Sequence, residues 1–554
     1  MRGIPWRLLG AGALTALLLD LPFPLAGPLP MWRTVFAWFA LVPLLAGLSR
    51  VPLDFAERRR RWQLGWSLGA GWLTGAFWFG ANCYWVYDTM HLYGGLNEPL
   101  AVLSLVLFSL YLGFWFGVFA LALTVIRCAT ESRGVRWAAL AAVPFLWTAM
   151  EFALARVPEF PWDQLGYSQV DNGLLMQLVP WTGVYGISFV LAGVNALLAA
   201  GLVLKPGGAR FSARLYCGVL GVLLAAAGAA GFLVKPARPS AEATAVLVQP
   251  NLDVAADDVW VGPEWDRHIS QFAEFAGRRC NLDVIAGIPE TGDVPADGPC
   301  TPVSPALIAW PESPAPFRAT DARFQAAMRD IALAVKAPMI VGDVGMDLAQ
   351  NQVGDQEYHV YNSASVMALD GHFAGRYDKI HLVPFGEYIP AQKLFFFLHK
   401  VTANLPDTDA GTERKVFRLN GRRYGVFICY ESVFGDEVRQ FVRNGAEMLV
   451  NISDDGWYGD TSAPWQHLNM ARMRAIENRR WILRDTNTGV TAAIDPYGTV
   501  RQSIPRHQVG ALAAGFGYGS ELTFYTRHGD WFAYACAILS LGVMGWAMRP
   551  LLYR

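Results

Sequence analysis

Tyr424-Gly-Val-Phe-Ile-Cys-Tyr-Glu431 is a short aromatic and β-branched run that ends on a cysteine and a carboxylate. Its length and composition read as a strand of a buried sheet, Tyr424 to Ile428, with Cys429 just past its end. Runs of the same kind recur at Ala245 to Gln249, Ala306 to Trp310, Met339 to Val341, Ala364 to Met367, Met448 to Asn451 and Thr491 to Ile494. Between them, Glu264 to Arg278, Arg323 to Lys336, Asp436 to Asn444 and Pro464 to Asn478 read as helices. The third is closed by Gly445 and the fourth is opened by a proline in its first turn. Strands alternating with helices predict a layered α/β fold. There is no internal repeat and no low-complexity segment.

Three titratable residues follow three of these strands closely. They are Glu312 in Ile308-Ala-Trp-Pro-Glu-Ser-Pro314, Lys379 in Tyr377-Asp-Lys-Ile-His381, and Cys429. Strand ends are where α/β sheets place their sites. A nucleophile on a strand-to-helix turn has backbone N–H groups beside it, which acyl transfer needs for its oxyanion. A thiol of pKa ~8.5 is mostly protonated at neutral pH, so a carboxylate must take its proton or a cation must hold the thiolate. Glu312 can do the first and Lys379 the second. Lys379 and the backbone N–H of Tyr430 can also donate to an oxyanion. His381, two residues from Lys379, offers a rival Cys–His pairing.

Outward from this segment the composition changes. The 554 residues are 53% hydrophobic and only 16% charged, too apolar for a simple soluble protein. Apolar runs of about the 20 residues needed to cross a bilayer fall near 8–26, 31–49, 65–87, 98–126, 137–155, 178–204, 214–234 and 530–548. Arg2 and Arg7 precede the first run as in a signal peptide, but no small-residue cleavage site follows, so retention as a span is expected. Basic residues gather in alternate short loops: Arg50 with Arg58 to Arg61, Arg127 with Arg133 and Arg136, and Lys205 with Arg210 and Arg214. By the positive-inside rule both termini lie in the cytoplasm. The expected organisation is a seven-helix transmembrane bundle over 1–235, an extracytoplasmic catalytic domain over 236–528, and an eighth helix with a cytoplasmic tail over 529–554. A net charge of −1 argues against nucleic acid as a partner.

Of seven cysteines, Cys83, Cys128, Cys217 and Cys536 lie in or beside apolar runs and read as buried thiols. Cys280 and Cys300 could pair in an oxidising compartment or stay free. Cys429 is then the odd thiol.

Trp310-Pro-Glu312, Tyr377-x-Lys-x-His-Leu-Val-Pro-Phe-Gly-Glu387-Tyr-Ile-Pro390, Cys429-Tyr-Glu431 and Asn451-x-Ser-x-Asp-Gly-Trp-Tyr-Gly459 resemble the signature blocks of the nitrilase superfamily. Within the membrane frame they resemble the bacterial apolipoprotein N-acyltransferase family over nearly the whole chain. That resemblance implies an αββα sandwich with a Glu312–Lys379–Cys429 triad, inserted between the seventh and eighth helices of an eight-helix bundle. It implies a ping-pong transfer in the bacterial inner membrane, with the catalytic domain on the periplasmic side. An acyl chain passes from a phospholipid, typically phosphatidylethanolamine, to the cysteine, and then to the α-amino group of a diacylglyceryl-cysteine at a lipoprotein N-terminus. Neither a metal nor a soluble cofactor is implied.

The resemblance also assigns supporting positions. Glu387 holds the lysine or assists proton transfer, Tyr430 and Glu431 flank the nucleophile, and Trp457 and Tyr458 form a lid. Trp260 is the candidate for a tryptophan the family carries after the first sheet strand, although it stands slightly further beyond Gln249 than the pattern asks. The family's base is the glutamate, which weighs against His381. Leu394-Phe-Phe-Phe-Leu398 is either core or an arm that dips into lipid. Glu151 and Arg156 either line a substrate path or pair with each other. A membrane-anchored amidase of the nitrilase type is the alternative function. A transporter is disfavoured, because such folds are expected to show more glycine- or proline-interrupted spans with polar groups at mid-membrane, and the spans here are mostly plain.

Overall fold

The computed structural model describes residues 5–50, 57–131, 138–203, 209–254, 263–279, 284–285, 301–312, 317–348, 358–388 and 408–552. The chain forms two compact units. The first comprises Met1–Tyr87, Glu98–Pro236 and His528–Arg554, and the second comprises Asp88–Asn97 and Ala237–Arg527.

The first unit is helical. Among the described residues five helical segments are long and apolar enough to cross a membrane: Met31–Arg50, Glu98–Thr130, Val184–Val203, Ala213–Leu233 and Trp531–Arg549. The three other apolar runs also form helices, but two of them, Trp6–Asp20 and Val143–Arg156, have only 15 and 14 residues. The third, Glu57–Asn82, buries Gln63, Ser67, Thr74 and Asn82, which lowers its apolarity. Polar side chains inside the unit tie helices together, as expected where water cannot serve the backbone. Asn195 donates to the Ala37 carbonyl and accepts from Leu41 N at 2.8 Å. The pairing of Glu151 with Arg156 does not form. Arg156 instead pairs with Asp530, and Glu151 accepts from Trp147 Nε1 and Leu165 N, each at 2.8 Å. The reason is reach: Glu151 points to the loop after its own helix, while Arg156 sits at the helix end beside the start of the last one.

The second unit is built on two sheets. In chain order the strands are β1 (Ala243–Gln249), β2 (Val284–Ile285), β3 (Leu307–Trp310), β4 (Met339–Leu348), β5 (Tyr358–Met367), β6 (Phe373–Asp378), β7 (Val416–Leu419), β8 (Arg422–Ile428), β9 (Met448–Ser453), β10 (Ile482–Thr486), β11 (Thr491–Ile494), β12 (Val500–Ile504) and β13 (Gly510–Phe516). One sheet runs β13-β1-β3-β4-β5-β6 and the other β2-β12-β11-β10-β9-β8-β7. The helices are α1 (Pro263–Ala276), α2 (Ala322–Val335), α3 (Gly435–Arg443) and α4 (Ala463–Asn478).

Period-two alternation sorts the first sheet's side chains. Ala245, Leu247, Leu307, Ala309, Ile340 and Val366 share a core with Val426, Ile428, Val450 and Leu483 of the second sheet. Their neighbours Val246, Val248, Ile308, Trp310, Met339 and Val341 face the other way, onto Phe272 and Ala276 of α1 and Phe324, Met328 and Ile331 of α2. Val438, Phe441, Leu468 and Ala471 bring α3 and α4 onto the second sheet. The result is a helix–sheet–sheet–helix sandwich, and it places the strand ends carrying Glu312, Lys379 and Cys429 in one unit. Every strand and helix expected in this segment forms. Six further strands of the two sheets, β2, β6, β7, β10, β12 and β13, were not evident from the sequence.

Candidate active site

Cys429 follows β8 directly and opens the 3-10 turn Cys429–Val433. Its φ is +47°, in the left-handed region that a non-glycine residue occupies at a cost of about 1–2 kcal/mol. Glu431 holds the turn in that shape. One carboxylate oxygen accepts Ile428 N at 2.7 Å, and the other accepts Tyr377 OH and Ile380 N, each at 2.7 Å. A single buried side chain therefore ties the Cys429 turn to the segment that carries Lys379. Burial drives the Glu431 pKa up to about 6, against the pull of these donors.

Lys379 follows β6, whose neighbour β5 supplies Asn362. The Lys379 amide donates to the Asn362 carbonyl at 2.8 Å. Its ammonium lies 3.0 Å from Glu312 Oε1 and 3.1 Å from Glu387 Oε2. Asn362 Nδ2 donates to Glu312 Oε1 at 2.7 Å and to Glu387 Oε1 at 2.6 Å, bridging the two carboxylates. Glu312 Oε2 accepts Asp454 N at 2.9 Å, and Glu387 Oε2 accepts Val383 N at 2.7 Å. Glu312, Lys379 and Cys429 are 6%, 1% and 5% exposed, so water screens none of these charges effectively.

Burial alone would lower the Lys379 pKa, but Glu312 and Glu387 outweigh it and hold the group well above its usual value. Lys379 is thus held in its cationic form. The Cys429 thiol is pushed well up, first by burial and then by Glu312, with Lys379 pulling the other way. Two carboxylates around one ammonium already leave the cluster negative, so a thiolate forms there only if its proton goes to one of them. Transfer from Cys429 to Glu312 keeps the charge of the cluster constant, which suits a carboxylate base.

His381 is not the histidine beside the nucleophile. It stacks on Phe434 and binds Glu437 at 3.1 Å, in a group that includes Arg414. The residue beside Cys429 is His467 of α4, fully buried, with Nε2 at 3.0 Å from the Cys429 carbonyl and Nδ1 at 2.9 Å from Asp455 Oδ1. Cys429, Asp455 and His467 each place a ligand atom within 4.8 Å of the others, a donor set that zinc accepts. Arg484, however, lies 2.7 Å from Asp455 Oδ2 and 3.0 Å from His467 Nδ1. Its charge compensates Asp455, whose pKa is held low by Arg484 and His467 in spite of burial. These donors are already engaged with one another.

Tyr430 and Tyr458 are buried near Cys429, Tyr458 with its ring 6.1 Å from that of His467. Trp457 is partly exposed, its carbonyl accepts Thr89 Oγ1 at 3.0 Å, and its indole meets Tyr93 edge-on at 5.6 Å. Trp260, Cys280, Cys300, Pro390 and the run Leu394 to Leu398 lie outside the described residues. Sequence reasoning missed Asn362, His467 and Arg484, and gave Asp455 only as a member of the Asn451 to Gly459 block without a role. Asn362 carries no motif signal. His467 on α4 and Arg484 on β10 lie beyond the Asn451 to Gly459 block, in segments that carry no motif signal of their own.

The profile described as Carbon-nitrogen hydrolase matches residues 247–513, and that described as Apolipoprotein N-acyltransferase N-terminal domain matches residues 15–197. The second unit is therefore a carbon–nitrogen hydrolase domain, joined to a helical unit that has a family profile of its own. A protein named Apolipoprotein N-acyltransferase from Geobacter metallireducens is 32% identical over 552 residues, covering 99% of this chain and 96% of its own. Relatives of the same name from Pseudomonas paraeruginosa and Bordetella bronchiseptica are each 31% identical and are covered to 96% and 95%. The chain belongs to the apolipoprotein N-acyltransferase family. Among solved structures it is similar to Saccharomyces cerevisiae Nit3 (14% identity, 50% of this chain and 92% of that one, TM-score 0.33) and to an amidase from Nesterenkonia sp. (15%, 54% and 98%, TM-score 0.34).

Proposed function

We infer that this protein is a membrane acyltransferase that moves an acyl chain from a phospholipid through a thioester on Cys429 to the N-terminal amine of a lipoprotein. The observation that carries this reading is the alignment with the Geobacter metallireducens relative, which runs through both units and covers nearly all of each chain. A hydrolase domain alone would account for the second unit only.

In the first half-reaction Glu312 takes the Cys429 proton and the thiolate attacks the ester carbonyl of the donor. The tetrahedral oxyanion is held by Lys379 and by the Tyr430 backbone N–H. Collapse breaks the ester C–O bond, and Glu312 returns its proton to the departing lysophospholipid oxygen. In the second, the α-amine of a diacylglyceryl-cysteine attacks the thioester, Glu312 takes a proton from nitrogen, and the thiolate leaves and is reprotonated. Glu387 and Asn362 hold Lys379 and Glu312 in register through both. The triad roles and those of Glu387, Tyr430, Glu431, Trp457 and Tyr458 are proposals on this geometry; Trp260 is proposed on family pattern alone.

Both substrates carry acyl chains, and extracting them from a bilayer costs ~0.8 kcal/mol per methylene, so a site built on a membrane unit avoids that expense. We assign the first unit and Trp531–Arg549 to the bacterial inner membrane, the second unit to the periplasmic face, and phosphatidylethanolamine as the donor. The test is incubation of purified protein with phosphatidylethanolamine and a diacylglyceryl-cysteinyl peptide. The reading expects lysophospholipid and N-acylated peptide in equal amounts. Free fatty acid without acylated peptide would make the protein a hydrolase.

A further inference from the structure

The strained backbone of the nucleophile needs a partner for its carbonyl, and the fold supplies one that the reaction chemistry does not call for. His467 projects from α4, is fully buried, and brings Nε2 to 3.0 Å from the Cys429 carbonyl oxygen and 2.6 Å from Ser432 Oγ. A bare lone pair at that distance from a carbonyl would set acceptor against acceptor, so the nitrogen facing Cys429 carries a proton. With that proton on Nε2, Nδ1 carries the lone pair and accepts from Arg484 Nη2 at 3.0 Å, and the same Nη2 donates to Asp455 Oδ1, which stands 2.9 Å from Nδ1. Arg484 is itself locked, through its hydrogen bonds to Asp455 and to the Asn451 side chain. The ring therefore has no rotational freedom.

We propose that His467 is a positioning residue: its Nε2–H holds the Cys429 carbonyl so that residue 429 stays left-handed, which aims the thiol and the Tyr430 N–H at the same reacting carbon. The proposal rests on Cys429 being the nucleophile. It assigns His467 no proton transfer, because Nε2 is spent on the carbonyl and Glu312 is the base. The charged and titratable groups facing the ring include Asp455 on the loop after β9, Arg484 on β10, Tyr458 edge-on at 6.1 Å, and Cys429 itself. Without the ring, the Cys429 carbonyl is left buried and unpaired, and residue 429 relaxes towards the ordinary negative-φ region.

The experiment is the rate of Cys429 alkylation by iodoacetamide as a function of pH in the full-length, detergent-solubilised protein, read by peptide mass spectrometry. Wild type is compared with His467→Leu and His467→Gln. Gln can place its Nε2 where the histidine's Nε2 lies and donate to the carbonyl, but it cannot carry a proton to or from the thiol. The expected result is a loss of about tenfold to a hundredfold in His467→Leu, the worth of one buried hydrogen bond, with His467→Gln restored to within about threefold of wild type. The pH midpoint in His467→Gln is expected to match wild type. Two results would overturn the proposal: His467→Gln as slow as His467→Leu or shifted in midpoint while still folded, which makes the ring a proton carrier, or His467→Leu as fast as wild type. If His467→Leu fails to fold, His467→Gln alone decides against wild type: a rate within about threefold with an unchanged midpoint supports the proposal, and a loss of about tenfold or a shifted midpoint in folded protein overturns it. Alkylation needs no acyl donor, so a wild-type protein that alkylates as expected yet forms no acyl adduct would refute the acyltransferase reading and leave this one standing.

Discussion

Asn362 donates through one nitrogen to both Glu312 and Glu387, and it shows how much of the site depends on residues with no chemistry of their own. Replacing it with leucine leaves two carboxylates facing each other across one ammonium. We expect single-turnover formation of the thioester in Asn362→Leu to fall about tenfold or more, as for loss of hydrogen bonds to charged groups, with unchanged Cys429 content. A rate equal to wild type would show that Lys379 alone orders the carboxylates. Asp455 gives a prediction in pH. Its folded pKa is depressed by Arg484 and His467, so its ionised form stabilises the fold above the unfolded value of about 3.9, and that stability is lost as pH falls through the folded value. Thermal unfolding of Asp455→Asn in detergent should show a lower midpoint at neutral pH and a shallower decline below about pH 4. Glu312, Lys379 and Cys429 could be singled out in the sequence because each follows a strand within a distinctive block. Asn362 and His467 could not, because only the register of β5 with β6 and the packing of α4 under Cys429 bring them there.

Elements carry the second layer of the account. The turn Cys429–Val433 and the segment after β6 are separate in sequence and meet at Glu431, which receives donors from both. Glu431→Ala leaves Ile428 N, Ile380 N and Tyr377 OH buried without that acceptor, and we expect about 2–5 kcal/mol of lost stability, seen as a lowered unfolding midpoint. An unchanged midpoint would mean that water or a shifted backbone replaces the carboxylate. The strands that escaped the sequence reading have physical reasons for it. β6, Phe-Ala-Gly-Arg-Tyr-Asp, is an edge strand with half its residues towards solvent. β13 is Gly-Ala-Leu-Ala-Ala-Gly-Phe, without β-branched residues, and it forms because β1 offers seven partners in register. β10, Ile-Leu-Arg-Asp-Thr, is fully buried although two of its five residues are charged. Arg484 is tolerated there because Asp455 and Asn451 receive it.

Over the whole molecule, composition predicts a membrane protein, and the five apolar helical segments agree. The eight-span expectation came from apolar run length alone. The first run stops as a helix at Asp20, before the proline turn Leu21-Pro-Phe-Pro24, and the 137–155 run is broken at Ala142 into Ala138–Ala141 and Val143–Arg156, with Pro144 in the first turn of the second piece. The proposed covalent intermediate would set the kinetic form of the whole reaction. Varying donor and acceptor together should give parallel double-reciprocal lines, and intersecting lines would place both substrates on the enzyme at once.

The most direct test is intact-mass analysis of the purified protein after incubation with phosphatidylethanolamine. The account predicts one added acyl chain, removed by hydroxylamine, absent in Cys429→Ala and strongly reduced in Glu312→Gln. An acyl adduct that persists in Cys429→Ala, or no adduct on the wild type while acylated peptide still forms, would contradict it.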